Sequence, residues 1–264
     1  MFKRDPLTGL WRRAPRGLCS IMPGLGMMPP GFKVKASASD VVDLGTLEDT
    51  GTLATGTFAF SDYGAVNTNK LLISAAMFRD NATVFGFSGT DATFAGTPYN
   101  GNRQSRNEGL YFACIHTHYV TGSLSGSHVI TMDEAIAQDK LCSMAAMPNG
   151  ALLTDRGMEI GSASSGTSNT VSTNTAGGGG LNAGSFIFAC VAKGAPTEGI
   201  TFSDNSGDAG TWVELADRSN TDATARFGFA YKKLLTTVSA SINVTATGGA
   251  TSTAHAMVLF MVGA

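Results

Sequence analysis

The 264-residue chain reads as an all-β protein, two tandem antiparallel β-sandwiches of jelly-roll type preceded by an extended N-terminal arm. Three features of the sequence predict this. Glycine is abundant at 33 residues and charge is sparse at 14%, with Thr and aromatic residues set between clusters of Gly, Asn, Asp and Ser. That is the make-up of many short strands joined by turns. Long Glu/Lys/Leu/Ala blocks with helical spacing are nearly absent. The strand-like segments of the second half also repeat those of the first at an almost fixed distance.

Leu71–Met77 aligns with Phe186–Ala192, Phe85–Ser88 with Ile200–Ser203, Ser127–Thr131 with Ile242–Ala246, and Leu141–Met147 with Ala256–Val262, each 115 residues on. Leu110–Ala113 aligns with Phe227–Ala230 at 117, as a two-residue difference in loop length would give. A near-constant offset over several strands is the mark of internal duplication. Each copy holds roughly eight strand candidates, too many for one open meander, whereas two packed sheets bury alternate residues and limit exposed edges. The expected domains are an arm over 1–35, a first sandwich over 36–150, a linker over 151–164 and a second sandwich over 165–264.

The arm comes first. Residues 1–32 contain five of the eight prolines (Pro6, Pro15, Pro23, Pro29, Pro30), so an extended course without strand or helix periodicity is expected. Its apolar residues Trp11, Leu18, Ile21, Met22, Leu25, Met27, Met28 and Phe32 are too far apart to form a core, but they suit docking on a neighbour. Lys3, Arg4, Arg12, Arg13, Arg16, Lys33 and Lys35 face the single acid Asp5, a net of +6. With the chain at −2, the remainder carries −8. A basic arm on an acidic body points to docking on a negatively charged surface. Arg4, Trp11, Arg12, Arg13, Arg16, Ile21, Met22, Leu25, Met27, Met28 and Phe32 are the expected docking residues.

In the first copy, 41–51 and 56–62 read as opening strands with Phe58 and Phe60 on one face, and Leu71–Phe78 as a buried central strand. Strands follow near 83–89, 109–120, 127–132 and 140–147, and the short stretch Met132–Lys140 allows a helical turn or two. The Ser/Thr/Gly-rich stretch from Ser162 to Gly184 opens the second copy. Its Gly177–Gly180 run lacks the Lys-Ser/Thr of a phosphate-binding loop. Strands are expected near 185–193, 199–204, 211–217, 225–234, 241–247 and 254–264.

No constellation nominates chemistry. His116 and His118 share one face of a predicted strand without a third ligand, and the solvent face is the expected one. Asp204, Asn205, Ser206 and Asp208 gather oxygens on one loop, but without EF-hand spacing, so a self-capping turn is favoured over calcium. His128 and His255 fall in strands, Asp133 and Glu134 are adjacent rather than convergent, and no GxSxG turn occurs. Tyr99, Tyr119 and Trp212 are candidates for stacking on sugars, with rim packing preferred for Trp212. Cys19, Cys114, Cys142 and Cys190 have no metal-ligand spacing and read as buried thiols. No metal, cofactor or catalytic residue is expected, nor a secretory signal or membrane span.

The second copy carries FSDNSGDAGTWVELADRS, then ARFGFAYKKLLTT, then an apolar last strand ending in Gly. It resembles a β-sandwich repeat that recurs in structural proteins of tailed bacteriophages and in related bacterial surface proteins. Asp204, Gly210, Trp212, Phe227, Phe229, Tyr231, Lys232 and Gly263 stand in the places of that pattern. The resemblance covers residues 165–264 well and the first copy loosely, because Thr97, Pro98 and Tyr99 replace Gly-Thr-Trp. It implies a non-enzymatic virion component of the head decoration, collar, neck or head-fibre kind, assembled in the host cytoplasm. The expected partners are other virion proteins and copies of itself. A host-surface glycan would be the partner of an alternative adhesion module, and neither membrane nor direct nucleic-acid contact is expected.

Overall fold

The structure, a computed structural model, describes residues 2–4, 11–13 and 41–263, with the segments 50–54, 62–69, 80–84, 92–102, 109–110, 121–126, 135–139, 148–152, 164–165, 174–179, 195–196 and 249–253 left out of account. Every regular element among the described residues is a strand and every pairing is antiparallel, so the all-β expectation holds.

Residues 1–37 form one compact unit and 38–264 another. In the first, β1 (Phe2–Arg4) pairs with β2 (Trp11–Arg13) in the register Phe2↔Arg13, Lys3↔Arg12, Arg4↔Trp11. The arm was expected to lack strands, and here it has a two-stranded ribbon. Arg16, Ile21, Met22, Leu25, Met27, Met28 and Phe32 lie outside the described residues, as does Cys19.

The second unit holds both copies. The first is built from β3 (Val42–Asp49), β4 (Thr55–Ser61), β5 (Lys70–Arg79), β6 (Phe85–Asp91), β7 (Arg103–Glu108), β8 (Tyr111–Val120), β9 (Ser127–Glu134) and β10 (Lys140–Met147). The second comprises β11 (Thr154–Ala163), β12 (Ser168–Ser172), β13 (Phe186–Lys193), β14 (Thr201–Asp204), β15 (Trp212–Ser219), β16 (Arg226–Lys233), β17 (Asn243–Thr247) and β18 (His255–Gly263). The first copy forms sheets β3-β10-β5-β8-β7 and β4-β9-β6. The second forms β11-β18-β13-β16-β15 and β12-β17-β14. Counted within each copy, both wind as 1-8-3-6-5 and 2-7-4, so the duplication extends to strand order.

Two boundaries differ from expectation. The stretch 151–164, read as a linker, contains β11, paired along its length with β18. Its Gly- and charge-bearing sequence suits an edge strand, with a bulge between Asp155 and Gly157 where Gly157 takes φ 101°. Met132–Glu134, the start of the stretch that allowed a helical turn or two, end β9 instead.

The long apolar runs have a specific cause. In β13 the residues alternate between two cores. Phe186, Phe188, Cys190 and Ala192 enter one, while Ile187, Ala189 and Val191 enter another. The first core also contains Leu71, Ile73, Ala75 and Met77 of β5, so the five-stranded sheets of the two copies pack face to face. The three-stranded sheet β12-β17-β14 covers the other side of the second copy through Val171, Val244 and Ala246, and Phe58 and Phe60 of β4 do the same in the first. Both faces of each large sheet are thus buried, which removes polar alternation from its inner strands.

Across the shared core β3 lies against β15 and β7 against β11. Strand 1 of each copy therefore meets strand 5 of the other, the reciprocal arrangement of an isologous dimer. Glu48 of β3 clasps this edge, accepting from Arg218 Nη2 at 2.8 Å and from the Thr221 amide.

The registers correct part of the alignment. Met77 pairs with Ala113 and its equivalent Ala192 with Phe227, so β8 and β16 align at 114 residues rather than 117. Ser88 pairs with Thr131 and Ser203 with Thr245, so β9 and β17 also align at 114 rather than 115. A slip of one residue turns every side chain to the opposite face, and the apolar runs of inner strands covered on both sides do not reveal it. The equivalents of His116 and His118 are accordingly Ala230 and Lys232, where an offset of 117 would give Lys233 and Leu235.

Candidate functional site

The densest polar cluster among the described residues lies where the loop after β14 meets the end of β16. Asp204 Oδ1 accepts from the Ser206 amide at 2.9 Å and from the Ser206 hydroxyl, an Asx turn completed by Gly207 at φ 68°. Ser206 Oγ accepts from the Asp208 amide at 3.1 Å, and Asp208 Oδ1 from the Gly210 amide at 2.8 Å. Asp208 Oδ2 then accepts from the Leu235 and Thr236 amides and the Thr236 hydroxyl at 2.7–3.0 Å, tying the loop to the end of β16. Asn205 Oδ1 binds the Asn243 amide at 2.7 Å and so fastens the same loop to β17.

Lys232 stands in the middle. Its side chain is 3% exposed, and its ammonium donates to Asp204 Oδ2 at 2.9 Å, Asp204 Oδ1 and Ser206 Oγ at 3.1 Å, and the Asp208 carbonyl at 3.3 Å. The oxygens that suggested calcium are therefore gathered round an internal cation. The self-capping turn was the right reading of the loop, but its cation, contributed 28 residues downstream of Asp204, was missed. The signal was there in principle: Lys232 alternates with Tyr231 and Lys233 in a strand whose neighbouring residues point into cores, so one of the two lysines had to point inward. Burial pushes the Asp208 carboxyl up, but the hydrogen bonds from Thr236, Gly210 and Leu235 outweigh it and bring it to about 2. Asp204 is also held below its ordinary value. Burial opposes the shift, and the bonds from Ser206, Lys232 and Trp212 overcome it.

Trp212 completes the cluster. Its Nε1 donates to Asp204 Oδ2 at 2.8 Å, and its ring stacks on Phe202 with centroids 5.6 Å apart. The indole is thus engaged in rim packing, as preferred from the sequence. Tyr99 lies outside the described residues, and Tyr119 falls in β8. Because Lys232 of β16 already fills the place of a cation, added Ca²⁺ or chelator should leave the melting temperature unchanged. A calcium-dependent rise in a thermal melt would refute this.

The remaining candidates scatter. His116 is 3% exposed, buried on the first-copy core side of β8 rather than on a solvent face as expected, because both faces of that sheet are covered. His118 lies on the same strand, and His128, Asp133 and Glu134 fall in β9, without forming a described cluster. Among the described residues no group of three or more His, Cys, Asp or Glu is placed to hold a metal. His255 Nε2 donates to the Gly166 carbonyl at 3.1 Å, and His255 pairs across strands with Lys193, whose buried Nζ meets no hydrogen-bond partner among the described residues. Burial draws both groups below their ordinary values. The equivalent pair in the first copy is Phe78 with buried Lys140, so each copy places one lysine at this node on opposite strands.

Cys114, Cys142 and Cys190 are fully buried. Cys114 and Cys142 both pair with Ala76, one on each side of β5, which sets their Cα atoms about 9.6 Å apart, beyond the ~7 Å limit for a disulfide. Burial raises the Cys142 and Cys190 thiols well above the ordinary value. Native protein treated with iodoacetamide should show none of these three labelled by peptide mass, and all three after denaturation.

An open cavity of about 240 Å³ adjoins the pinned loop, lined by Phe186, Gly210, Val213, Tyr231, Lys233 and Leu235 among others. The Lys233 ammonium sits 5.5 Å from the centre of the Phe186 ring. Val213 and Leu235 are 41% and 58% exposed, two of the four large apolar side chains exposed on the described surface.

No protein-family model matches the chain, and no curated protein matches it. No described helix is long and apolar enough to cross a membrane.

Proposed function

We propose that this protein is a non-enzymatic structural component of a bacteriophage virion, of the capsid-decoration, collar/neck or head-fibre kind. In this reading each copy is a jelly-roll-like sandwich, and the N-terminal arm anchors the chain to neighbouring virion proteins. The observation that carries it is the division of the chain, with residues 1–37 forming a unit apart from 38–264 and holding +6 against −8. A basic segment joined to an acidic body suits a clamp more than a catalyst. The polar residues of the second copy add support, since Asp204, Asp208, Lys232, Asp217 and Arg226 bond one another or nearby backbone. Deleting Met1–Ser37 should leave a folded body by circular dichroism but keep it out of purified particles. Normal occupancy of particles by the shortened chain would end the anchoring reading.

The second reading, a glycan-binding adhesion module, draws on the cavity. Half-buried Tyr231, exposed Val213 and Leu235, and a loop pinned by Asp208 suit one face of a sugar ring. Binding on a glycan array that Tyr231→Ala abolishes would favour it, and an array without signal would remove it.

A further inference from the structure

We infer that the β1–β2 ribbon docks on the acidic body of a second copy of this chain, so that the protein assembles arm to body. The inference rests on the arm being the docking segment, and it adds that one of the arm's partners is the protein itself. The six strand residues of the ribbon include four cations, Lys3, Arg4, Arg12 and Arg13, and no acid. Lys3 lies directly across from Arg12, a like-charge pairing that destabilises an antiparallel ribbon, and Phe2 and Trp11 each face an arginine. A two-stranded ribbon is marginal by itself, so one with opposed cations needs an anionic surface to hold its pairing. Asp5 is the only acid in residues 1–37, so that surface comes from outside the arm.

Residues 38–264 contain 19 acids and 11 bases, the −8 that complements the arm. Exposed Asp43 is on the first copy and exposed Glu198, Glu214 and Asp222 are on the second. An acidic body therefore accompanies every arm wherever copies of the chain accumulate. Opposite net charges on two docking parts raise the association rate and make it sensitive to salt. Arm and body are different surfaces, so each chain gives one arm and receives one. The assembly is then a closed ring, a reciprocally exchanged pair or an open chain, according to the rotation between neighbours.

The test is sedimentation velocity of the full-length protein, with and without nuclease treatment, over a range of concentrations. Concentration-dependent association is expected in about 0.05 M salt, weakening by roughly tenfold or more in about 0.5 M salt. The full-length variant K3E/R4E/R12E/R13E should remain monomeric with an unchanged body melting temperature, and R4K/R12K/R13K, which keeps the charge, should associate like the parent. A parent that stays monomeric at low salt overturns the inference. So does a charge-reversed variant that still associates, or association that disappears on nuclease treatment, which would make the partner a nucleic acid. Particle incorporation is scored separately. A monomeric parent whose incorporation still needs the arm sinks self-docking and spares the anchoring reading, and the converse result does the opposite.

Discussion

Replacing Lys232 with methionine is expected to destabilise the protein by about 3–5 kcal/mol, the usual cost of removing one partner from a buried ion pair. The substitution conserves volume but leaves Asp204, with a side chain 4% exposed, without its counter-charge. Trp212 and Ser206 still donate to it, which sets the effect toward the lower end of that range. Adding Asp204→Asn to the same chain should recover part of the loss, because a neutral amide tolerates the site better than an orphaned carboxylate. Urea denaturation of the single and double variants measures both, and a single variant within about 1 kcal/mol of the parent would mean the pair is not coupled as described. The lock also sets an acid limit. Asp208 titrates at about 2 when folded and near 3.9 when unfolded, so its contribution is complete above about pH 4 and is lost as pH falls toward 2. Asp204 shifts in the same direction and adds to the same window.

Phe188→Ala should cost about 3–5 kcal/mol and should loosen both copies together. Phe188 is fully buried, with the rings of Phe229, Tyr231 and Phe260 5.7–6.1 Å away, in the core shared with Leu71, Ile73 and Ile115 of the first copy. A cavity there removes contacts from both five-stranded sheets at once. Amide exchange should therefore accelerate in β5 and β8 as well as in β13 and β16, with denaturation still a single transition. Protection in β5 unchanged by the substitution would show that the copies unfold independently.

The class of fold was legible because strand residues and turn clusters are local signals. So was the duplication, because Leu71–Met77 and Phe186–Ala192 are both unbroken apolar runs. Why those runs are unbroken was not legible. A strand covered on two sides reads the same whether its second cover is the other copy or another molecule. β11 was missed for the complementary reason, since an edge strand with Gly157, Gly161 and several polar residues resembles a linker. The Asp204 loop was recognised as a turn from Asp, Asn, Ser and Gly alone. The identity of its cation depended on pairing β16 with β15 and β13, which no spacing within the loop encodes.

The reciprocal packing of the two copies has an evolutionary consequence. In an assembly of two identical chains every substitution appears twice, so a change that helps one side must be tolerated on the other. Covalent linkage lifts that constraint. The Asp204–Lys232 lock exists only where His118 has a lysine for its counterpart, and the buried lysine of the sheet node has changed strands between Lys140 and Lys193. One half is thereby free to specialise its rim while the other keeps the shared core intact, a division of labour that a symmetric pair of chains could not sustain.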